Sequence, residues 1–208
     1  MNKCISIIDY GLGNIFSIKN AIISLGYHCN IINTEEDIEK SSVLILPGVG
    51  AFPHAMKMLI ELDLVYAIKK HVRNGKPILG ICLGMQLLFE TSEEHGVTKG
   101  LGLLNGNVTK FDLIGDYAIP QIHWNRVKNN PNSKLLSEFR NENLFYFLHS
   151  YYVELATCDD YIIGKANYCG VDYVATVEYG NIYGVQFHPE KSGNVGLKLI
   201  QKFIRSEI

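Results

Sequence analysis

The sequence predicts an α/β protein in which helices cover both faces of a parallel sheet. In the first half of the chain, short apolar runs of strand length alternate with segments whose apolar residues recur at helical spacing. These runs are almost continuously apolar, which is typical of strands buried on both faces of a parallel sheet. The 208 residues are 47% hydrophobic and 19% charged, so we expect a single globular domain over residues 1–208.

The elements of the first half follow each other regularly. Residues 5–8 form the first apolar strand, and the spacing of isoleucine and leucine over residues 15–25 indicates a helix that Gly26 ends. Further strands are predicted over residues 28–32, 43–46 and 77–81, and further helices over residues 52–60 and 62–72. Strands interleaved with helices favour a parallel arrangement.

Strand patterns dominate the second half. Segments rich in β-branched and aromatic residues predict strands over residues 108–111, 144–148, 151–155, 161–168, 173–178 and 181–187. At the end of the chain, apolar residues share one helical face, which predicts a C-terminal helix through Leu197, Ile200, Phe203 and Ile204.

Composition excludes several classes of protein. The formal net charge of −2 gives no indication of a nucleic-acid or membrane partner. The five cysteines are odd in number and form no CxxC pair, so neither a disulfide framework nor a zinc site is expected. A reducing, cytoplasmic location fits, because the N-terminal apolar run is too short for a signal peptide and no stretch approaches the roughly 18 apolar residues of a membrane helix.

The most informative segment is GICLGMQ, residues 80–86. It follows a predicted strand and opens an apolar segment, so Cys82 lies on a tight turn between strand and helix. Gly80 and Gly84 leave room for a sharp turn, and a helix N-terminus favours a thiolate. This pattern predicts a reactive cysteine; the alternative is a buried cysteine that packs between glycines.

A histidine and a carboxylate near the C-terminus complete a possible catalytic set. His188 and Glu190 end a predicted strand, and alternate residues of an extended chain point the same way. The imidazole of His188 would take the thiol proton of Cys82, and Glu190 would orient the ring. The alternative is that the two residues simply lie on a solvated strand end.

Five blocks together resemble the class I glutamine amidotransferases. They occur in the family's order and span nearly the whole chain: DYGLGN at 9–14, LPGVGAF at 46–52, GICLGMQLLFE at 80–90, FYFLHSY at 145–151 and GVQFHPEKSG at 184–193. Within the family, the blocks are most similar to the glutaminase subunits that supply a cyclase in histidine biosynthesis. The resemblance implies a three-layer, flavodoxin-like α/β fold with a central mixed, mostly parallel sheet.

The resemblance also implies the reaction. Cys82 is the expected nucleophile, His188 the general base and acid, and Glu190 the orienting carboxylate for hydrolysis of the glutamine side-chain amide. No cofactor and no metal are expected. Two classes of protein compete with this interpretation: a cysteine peptidase on a similar fold, and a subunit that has lost activity. An inactive subunit would be expected to lack one of these three residues.

Two further groups of residues follow from the resemblance. The oxyanion donors are expected to be the N–H of Leu83 and that of Val49 or Gly50, on a loop that we expect to act as a switch assembled by the partner. The substrate glutamine is expected to contact Gln86, Glu94, Ser150 and Tyr151. Alternatively, Gln86 satisfies helix-end groups and Glu94 is solvated surface.

The expected partner is a (β/α)₈-barrel cyclase that forms a heterodimer with this chain and receives the ammonia. Its contact residues are expected to be Asn14, Trp124, Asn125 and Lys191. Trp124 is either an interface anchor or a core residue.

One segment departs from the family. Residues 120–125 read PQIHWN, where the family usually has PHMGWN. Gln121 and His123 are the changes. They leave open a paralogous subunit that supplies ammonia for an amidino group on a surface-polysaccharide sugar.

Overall fold

The computed structural model describes residues 4–113, 115, 117–141, 143–154 and 161–207. Its strands are β1 (Ile5–Ile8), β2 (Cys29–Ile32), β3 (Val43–Leu46), β4 (Ile78–Ile81), β5 (Thr91–Ser92), β6 (Thr98–Lys99), β7 (Asn107–Lys110), β8 (Gln121–Arg126), β9 (Leu144–His149), β10 (Tyr151–Val153), β11 (Ile162–Tyr168), β12 (Val171–Tyr179) and β13 (Ile182–Val185). Its helices are α1 (Ile15–Ser24), α2 (Glu35–Lys40), α3 (Phe52–Glu61), α4 (Leu64–Arg73), α5 (Leu83–Leu87) and α6 (Gly193–Glu207). Leu155 and Cys158 lie outside the described residues.

The central sheet is mixed and mostly parallel, as expected. Within the described residues it has the strand order β11-β12-β13-β4-β3-β1-β2. The five strands from β13 to β2 run parallel to their neighbours, and β12 is antiparallel to both β11 and β13. The carboxyl ends of β3, β4 and β13 therefore meet at one edge of the sheet.

Helices cover both faces of this sheet because its central strands β1, β3, β4 and β13 are mostly apolar and buried at every position. On β3, Leu44 and Leu46 belong to the core that α3 and α4 cover, whereas Val43 and Ile45 face the core under α1 and α6. All four side chains are buried. The predicted three-layer architecture is confirmed. None of the helices in the described part of the chain combines the length and apolar character needed to span a membrane.

Helix α2 and the strands β5, β6 and β8 were not predicted. Helix α2 is a short, mostly charged helix in which only Ile38 is buried, so it has almost no periodicity; Thr34 caps it by accepting the Asp37 N–H at 3.2 Å. Strands β5 and β6 have two residues each.

Strand β8 reverses the usual pattern. It buries Gln121 and exposes Ile122 and Trp124, so its alternation gives no signal of an inward apolar face. It pairs with β9 as a separate antiparallel ribbon, and a second small sheet has the order β10-β7-β5-β6.

Candidate active site

Cys82 lies on a strained turn between β4 and α5. Its φ of 55° and ψ of −114° place it in a region that side chains rarely adopt. The turn packs closely: a Cβ on Gly84 would lie 1.8 Å from the Leu46 carbonyl oxygen, and one on Gly80 would lie 2.7 Å from the Gly84 carbonyl oxygen. The Cys82 N–H donates to the Val185 carbonyl at 2.8 Å, which ties the turn to β13. The strand–turn–helix prediction for Cys82 is confirmed.

His188 and Glu190 contact each other, but not by the geometry that the sequence predicted. Residues Pro189–Lys191 form a 3₁₀ turn and not an extended segment. The turn brings His188 Nδ1 to 2.9 Å from Glu190 Oε1, and both side chains are buried. Nδ1 therefore donates to the carboxylate, and Nε2, which has no geometric hydrogen bond within the described residues, is available for proton transfer.

Charge favours a protonated His188. Burial lowers the pKa of His188, but attraction to the Cys82 sulfur and the hydrogen bond and charge of Glu190 outweigh burial and raise this pKa to about 10. An imidazolium beside a thiolate is the pairing that activates a cysteine nucleophile.

The backbone of His188 is fixed from two sides. Its N–H donates to the Tyr146 carbonyl at 2.9 Å. Its carbonyl accepts the Ser192 hydroxyl at 2.6 Å, and the same hydroxyl accepts the Tyr146 N–H at 3.0 Å. These bonds lock the 3₁₀ turn onto β9.

A cavity of about 200 Å³ opens beside Cys82. It brings together residues from both halves of the sequence. Its lining residues are Val49, Gly50, Cys82, Leu83, Gln86, Glu94, Pro120, Leu148, His149, Ser150, Tyr151 and His188. Each residue predicted as nucleophile, general base, oxyanion donor or substrate contact is in this set, and Glu190 lies behind His188.

The loop of Gly48, Val49 and Gly50, called the glycine loop below, lies on the cavity wall between β3 and α3. Gly48 packs on the cysteine turn, since a Cβ there would lie 2.8 Å from the Gly84 nitrogen. Gly50 has a φ of 94° with open space around it, and Val49 is 38% exposed. The glycine loop is therefore tightly packed at Gly48, whereas Val49 and Gly50 have free space around them.

Two glutamines form a buried chain of hydrogen bonds that leads to the nucleophile. Gln86 Nε2 donates to the Tyr151 carbonyl at 2.8 Å and to Gln186 Oε1 at 3.0 Å. Gln186, which is fully buried, places its Nε2 at 3.7 Å from Cys82 Sγ. The sequence analysis gave Gln186 no role, because an amide inside a strand has no local pattern that shows where it points.

His149 holds the segment that forms the far wall of the cavity. Burial lowers its pKa to about 3, so the ring is neutral, and its Nδ1 donates to the Tyr151 carbonyl at 2.9 Å. The Tyr151 carbonyl thus accepts from both His149 and Gln86, which fixes the backbone of Ser150 and Tyr151 beside the cavity.

Glu94 has a contact that the sequence did not predict. It is half-buried, and its Oε2 accepts the Phe52 N–H at 2.7 Å, at the first residue of α3. This excludes the alternative that Glu94 is plain solvated surface.

The predicted partner residues lie near the His188 turn and on β8. Trp124 is 48% exposed, which excludes the core alternative, and its ring centroid lies 5.9 Å from that of Tyr146. Lys191 Nζ lies 5.9 Å from the same Tyr146 ring. Asn125 donates to the Asn167 carbonyl at 2.8 Å, and the Asn14 side chain does not cap α1 although it precedes that helix.

The two departures from the family pattern face inward. Gln121 is fully buried, and its Oε1 accepts the Tyr173 hydroxyl at 3.1 Å. His123 is half-buried with its ring centroid 5.2 Å from that of Tyr168. Neither residue belongs to the exposed face of β8, which carries Ile122 and Trp124.

Comparison with known proteins identifies the family of the chain. The family model "Glutamine amidotransferase class-I" matches residues 6–206. The chain is 47% identical to imidazole glycerol phosphate synthase subunit HisH 2 of Methanococcus maripaludis, over 97% of this chain and 98% of that protein. It is 40% identical to the chloroplastic imidazole glycerol phosphate synthase hisHF of Arabidopsis thaliana, over 100% of this chain but only 35% of that protein.

A solved structure supports the fold. The structure of PurLQS from Thermotoga maritima superposes with a TM-score of 0.74 at 20% sequence identity and covers 99% of both chains. The family match covers nearly the whole chain. The chain therefore belongs to the class I glutamine amidotransferase family and is an enzyme of cysteine-based glutamine hydrolysis.

Proposed function

We propose that this chain is the glutaminase subunit of an imidazole glycerol phosphate synthase. It hydrolyses glutamine to glutamate and ammonia, and it passes the ammonia to a (β/α)₈-barrel cyclase that forms imidazole glycerol phosphate and AICAR in histidine biosynthesis. The observation that carries the chemistry is the cavity in which Cys82 and His188 meet the glycine loop. The relatives that are 40% and 47% identical support the pathway.

In this mechanism Cys82 is the nucleophile and His188 moves the protons. The Cys82 thiolate attacks the side-chain amide carbon of glutamine and forms a tetrahedral intermediate. His188 Nε2 gives its proton to the leaving nitrogen, so that ammonia departs and a thioester remains. A water then attacks the thioester, His188 takes the proton of that water, and glutamate and the thiolate are released. Glu190 holds the ring through Nδ1 during both steps.

The oxyanion of each tetrahedral intermediate needs donors aimed at it. The Leu83 N–H, at the start of α5, is one donor, and the N–H of Val49 or Gly50 is the second. The open space around Gly50 supports the proposal that this part of the loop changes conformation when the partner and its substrate bind. The tightly packed Gly48 would stay in place while Val49 and Gly50 move.

The substrate is held by its amino-acid end. The Nε2 hydrogens of Gln86 are used by Tyr151 and Gln186, so Gln86 Oε1 is the atom that can accept from glutamine. Glu94 pairs with the α-ammonium, and the Ser150–Tyr151 backbone contacts the α-amino acid group. The positions of the four residues on one cavity support these roles.

The cyclase docks over the exposed face of β8 and the His188 turn. Trp124 and Ile122 are 48% and 56% exposed, and an exposed aromatic beside apolar neighbours is a typical interface anchor. Asn14, Asn125 and Lys191 would form polar contacts around it. The Arabidopsis protein, whose name joins hisH and hisF, supports a cyclase of the HisF type as the partner.

The surface-polysaccharide alternative rested on Gln121 and His123. Gln121 is fully buried and the His123 ring packs beside that of Tyr168, so these changes do not alter the exposed side chains of Ile122 and Trp124. The histidine-pathway partner therefore remains the better-supported function.

The test is ammonia release from glutamine, measured for the chain alone and with its cyclase. We expect release that rises when the cyclase and its nucleotide substrate are added, and none for Cys82→Ala, which should still bind the cyclase. With glutamine labelled at the amide nitrogen, the label should enter the imidazole ring. Turnover near wild type in Cys82→Ala would show that Cys82 is not the nucleophile. Transfer of the label only to a sugar would favour the alternative partner.

A further inference from the structure

We propose that Glu94 positions the glycine loop, in addition to binding the α-ammonium of glutamine. The inference rests on the proposed function, because it concerns the loop that supplies an oxyanion donor. Its basis is the contact between Glu94 and the first residue of α3, which joins a turn of the chain to a helix 42 positions away.

The glycine loop is held at both ends. At its start, the hydroxyl of Tyr10, a fully buried residue, donates to the Pro47 carbonyl at 2.7 Å. At its end, Glu94 Oε2 accepts the Phe52 N–H at 2.7 Å. Ala51, at the N-cap position of α3, has no side-chain acceptor for the exposed N–H groups of that helix. The Glu94 carboxylate supplies one from elsewhere in the chain, where the helix dipole favours negative charge.

Glu94 is itself fixed in place. Its N–H donates to the hydroxyl of Ser92, a fully buried residue, at 3.2 Å. The Phe52 ring is also fully buried and packs against Gly100, where an added Cβ would lie 3.0 Å from the Phe52 ring tip. The turn that carries Glu94 is therefore a rigid support for the end of the loop.

The middle of the loop has no comparable support. A Cβ on Gly50 would meet nothing within 4 Å, and Val49 is 38% exposed. The positions of the Val49 and Gly50 N–H groups therefore depend on the two anchored ends. Loss of the Glu94 anchor would release the first turn of α3 and move these donors relative to the oxyanion, which lowers turnover and not only affinity.

The second carboxylate oxygen gives Glu94 its link to the substrate. Oε2 is used by the Phe52 N–H, and Glu94 also lines the cavity, so Oε1 is the oxygen that can accept from the α-ammonium. One carboxylate thus contacts both the amino-acid end of glutamine and the loop that serves its amide end. A substrate that holds this carboxylate also steadies the loop.

The experiment separates the two roles with two variants and two substrates. Glu94→Ala removes both contacts, whereas Glu94→Gln keeps an oxygen for the Phe52 N–H but loses the charge. Each is assayed in the complex with the cyclase, on glutamine and on glutaramate, which is glutamine without its α-amino group.

We expect Glu94→Ala to lower kcat on both substrates by about tenfold, since complete loss of an oxyanion donor costs about 10²–10³. Glu94→Gln should restore kcat to within about threefold of wild type, while its KM for glutamine stays raised.

Several outcomes would overturn the proposal. One is a Glu94→Ala variant with wild-type kcat on glutamine and a raised KM alone; another is equal kcat values for the Ala and Gln variants. Glu94→Asp is a milder second variant that keeps the charge but is too short for the Phe52 contact. Its kcat should also fall. A wild-type kcat for this variant would count against the proposal.

The neighbouring carboxylate provides the control. Glu93 is exposed and accepts from Asn107 and Thr109, so Glu93→Ala should leave kcat and KM unchanged. Failure of the wild-type complex to release ammonia from glutamine would instead contradict the proposed function, and the two failures are therefore distinguishable.

Discussion

At the scale of single residues, the surroundings of Cys82 Sγ differ between the thiol and the thiolate. The thiol donates to the Leu148 carbonyl at 3.7 Å, and Gln186 Nε2 lies at the same distance. Once the proton is lost, the carbonyl repels the sulfur and the amide donor attracts it. Gln86 holds the Gln186 amide in the orientation that presents Nε2 to the sulfur. Gln186 is therefore a positioning residue for the nucleophile.

Replacement of Gln186 by leucine should make Cys82 less reactive. Gln186→Leu keeps the approximate volume but removes the donor, and a hydrogen bond to a charged group is worth about 1.5–3 kcal/mol. We expect alkylation of Cys82 by iodoacetamide at neutral pH to slow by roughly tenfold. Gln201→Leu, a replacement of an amide on α6 far from the site, is the control. An unchanged alkylation rate in Gln186→Leu would exclude this role.

At the scale of elements, three connections that follow neighbouring strands form the active site. The glycine loop follows β3, the cysteine turn follows β4 and the His188 turn follows β13, and these strands are adjacent in the order β13-β4-β3. Their parallel direction places all three connections at one edge, which is where open α/β sheets form their sites. Close packing of Gly84 against Leu46 holds the first two together.

This packing predicts that Gly84 tolerates no side chain. Gly84→Ala would place its Cβ 1.8 Å from the Leu46 carbonyl oxygen, so β3 and α5 must separate. We expect a loss of about 3 kcal/mol or more in the free energy of unfolding, and loss of glutaminase activity.

The control for this prediction is Gly75→Ala. Gly75 has a φ of 75° and open space around it, so this replacement should cost only about 1–2 kcal/mol and leave activity intact. Urea unfolding of both variants provides the comparison. Equal stability of the two variants would contradict the packing argument.

At the scale of the whole molecule, the fold buries a neutral histidine away from the active site. His71, on α4, is 3% exposed, and its Nε2 donates to the Pro77 carbonyl at 3.1 Å. Burial lowers the pKa of His71 to about 4, despite the hydrogen bond to Pro77. Protonation of this ring therefore opposes folding.

The pH dependence of stability follows from this shift. Because the pKa of His71 is lower in the folded than in the unfolded chain, the unfolded state binds more protons between about pH 4 and pH 6.5. The contribution of the neutral His71 ring to stability is therefore complete above pH 6.5 and is lost as the pH falls. We expect His71→Leu to reduce the loss of unfolding free energy between about pH 6.5 and pH 4.5 by about 2 kcal/mol.

Urea unfolding at several pH values measures this slope. His28→Leu, at an exposed histidine, is the control and should keep the wild-type slope. If His71→Leu also keeps the wild-type dependence of unfolding free energy on pH, the buried His71 ring is not the cause of that dependence.

The sequence by itself determined the alternation of the central strands with their helices, the C-terminal helix, the cysteine turn and the predicted residues that line the cavity. These features depend on local patterns: glycines on both sides of Cys82, short and almost continuously apolar strands, and motifs in family order. It did not show that residues 189–191 turn, nor that β8 buries Gln121 and exposes Trp124. Periodicity assumes that apolar side chains face the interior. In β8 the polar Gln121 is buried and the apolar Trp124 is exposed, so this assumption fails there.

Only the tertiary structure decided the contacts that hold the site together. Gln186 reaches Cys82 across 104 positions, Glu94 reaches Phe52 across 42, and Tyr10 reaches Pro47 across 37. Such hydrogen bonds depend on the direction of side chains after the sheet and helices have packed, and no spacing along the chain records that direction. The local sequence therefore specified which residues can react, and long-range packing specified what holds them in place.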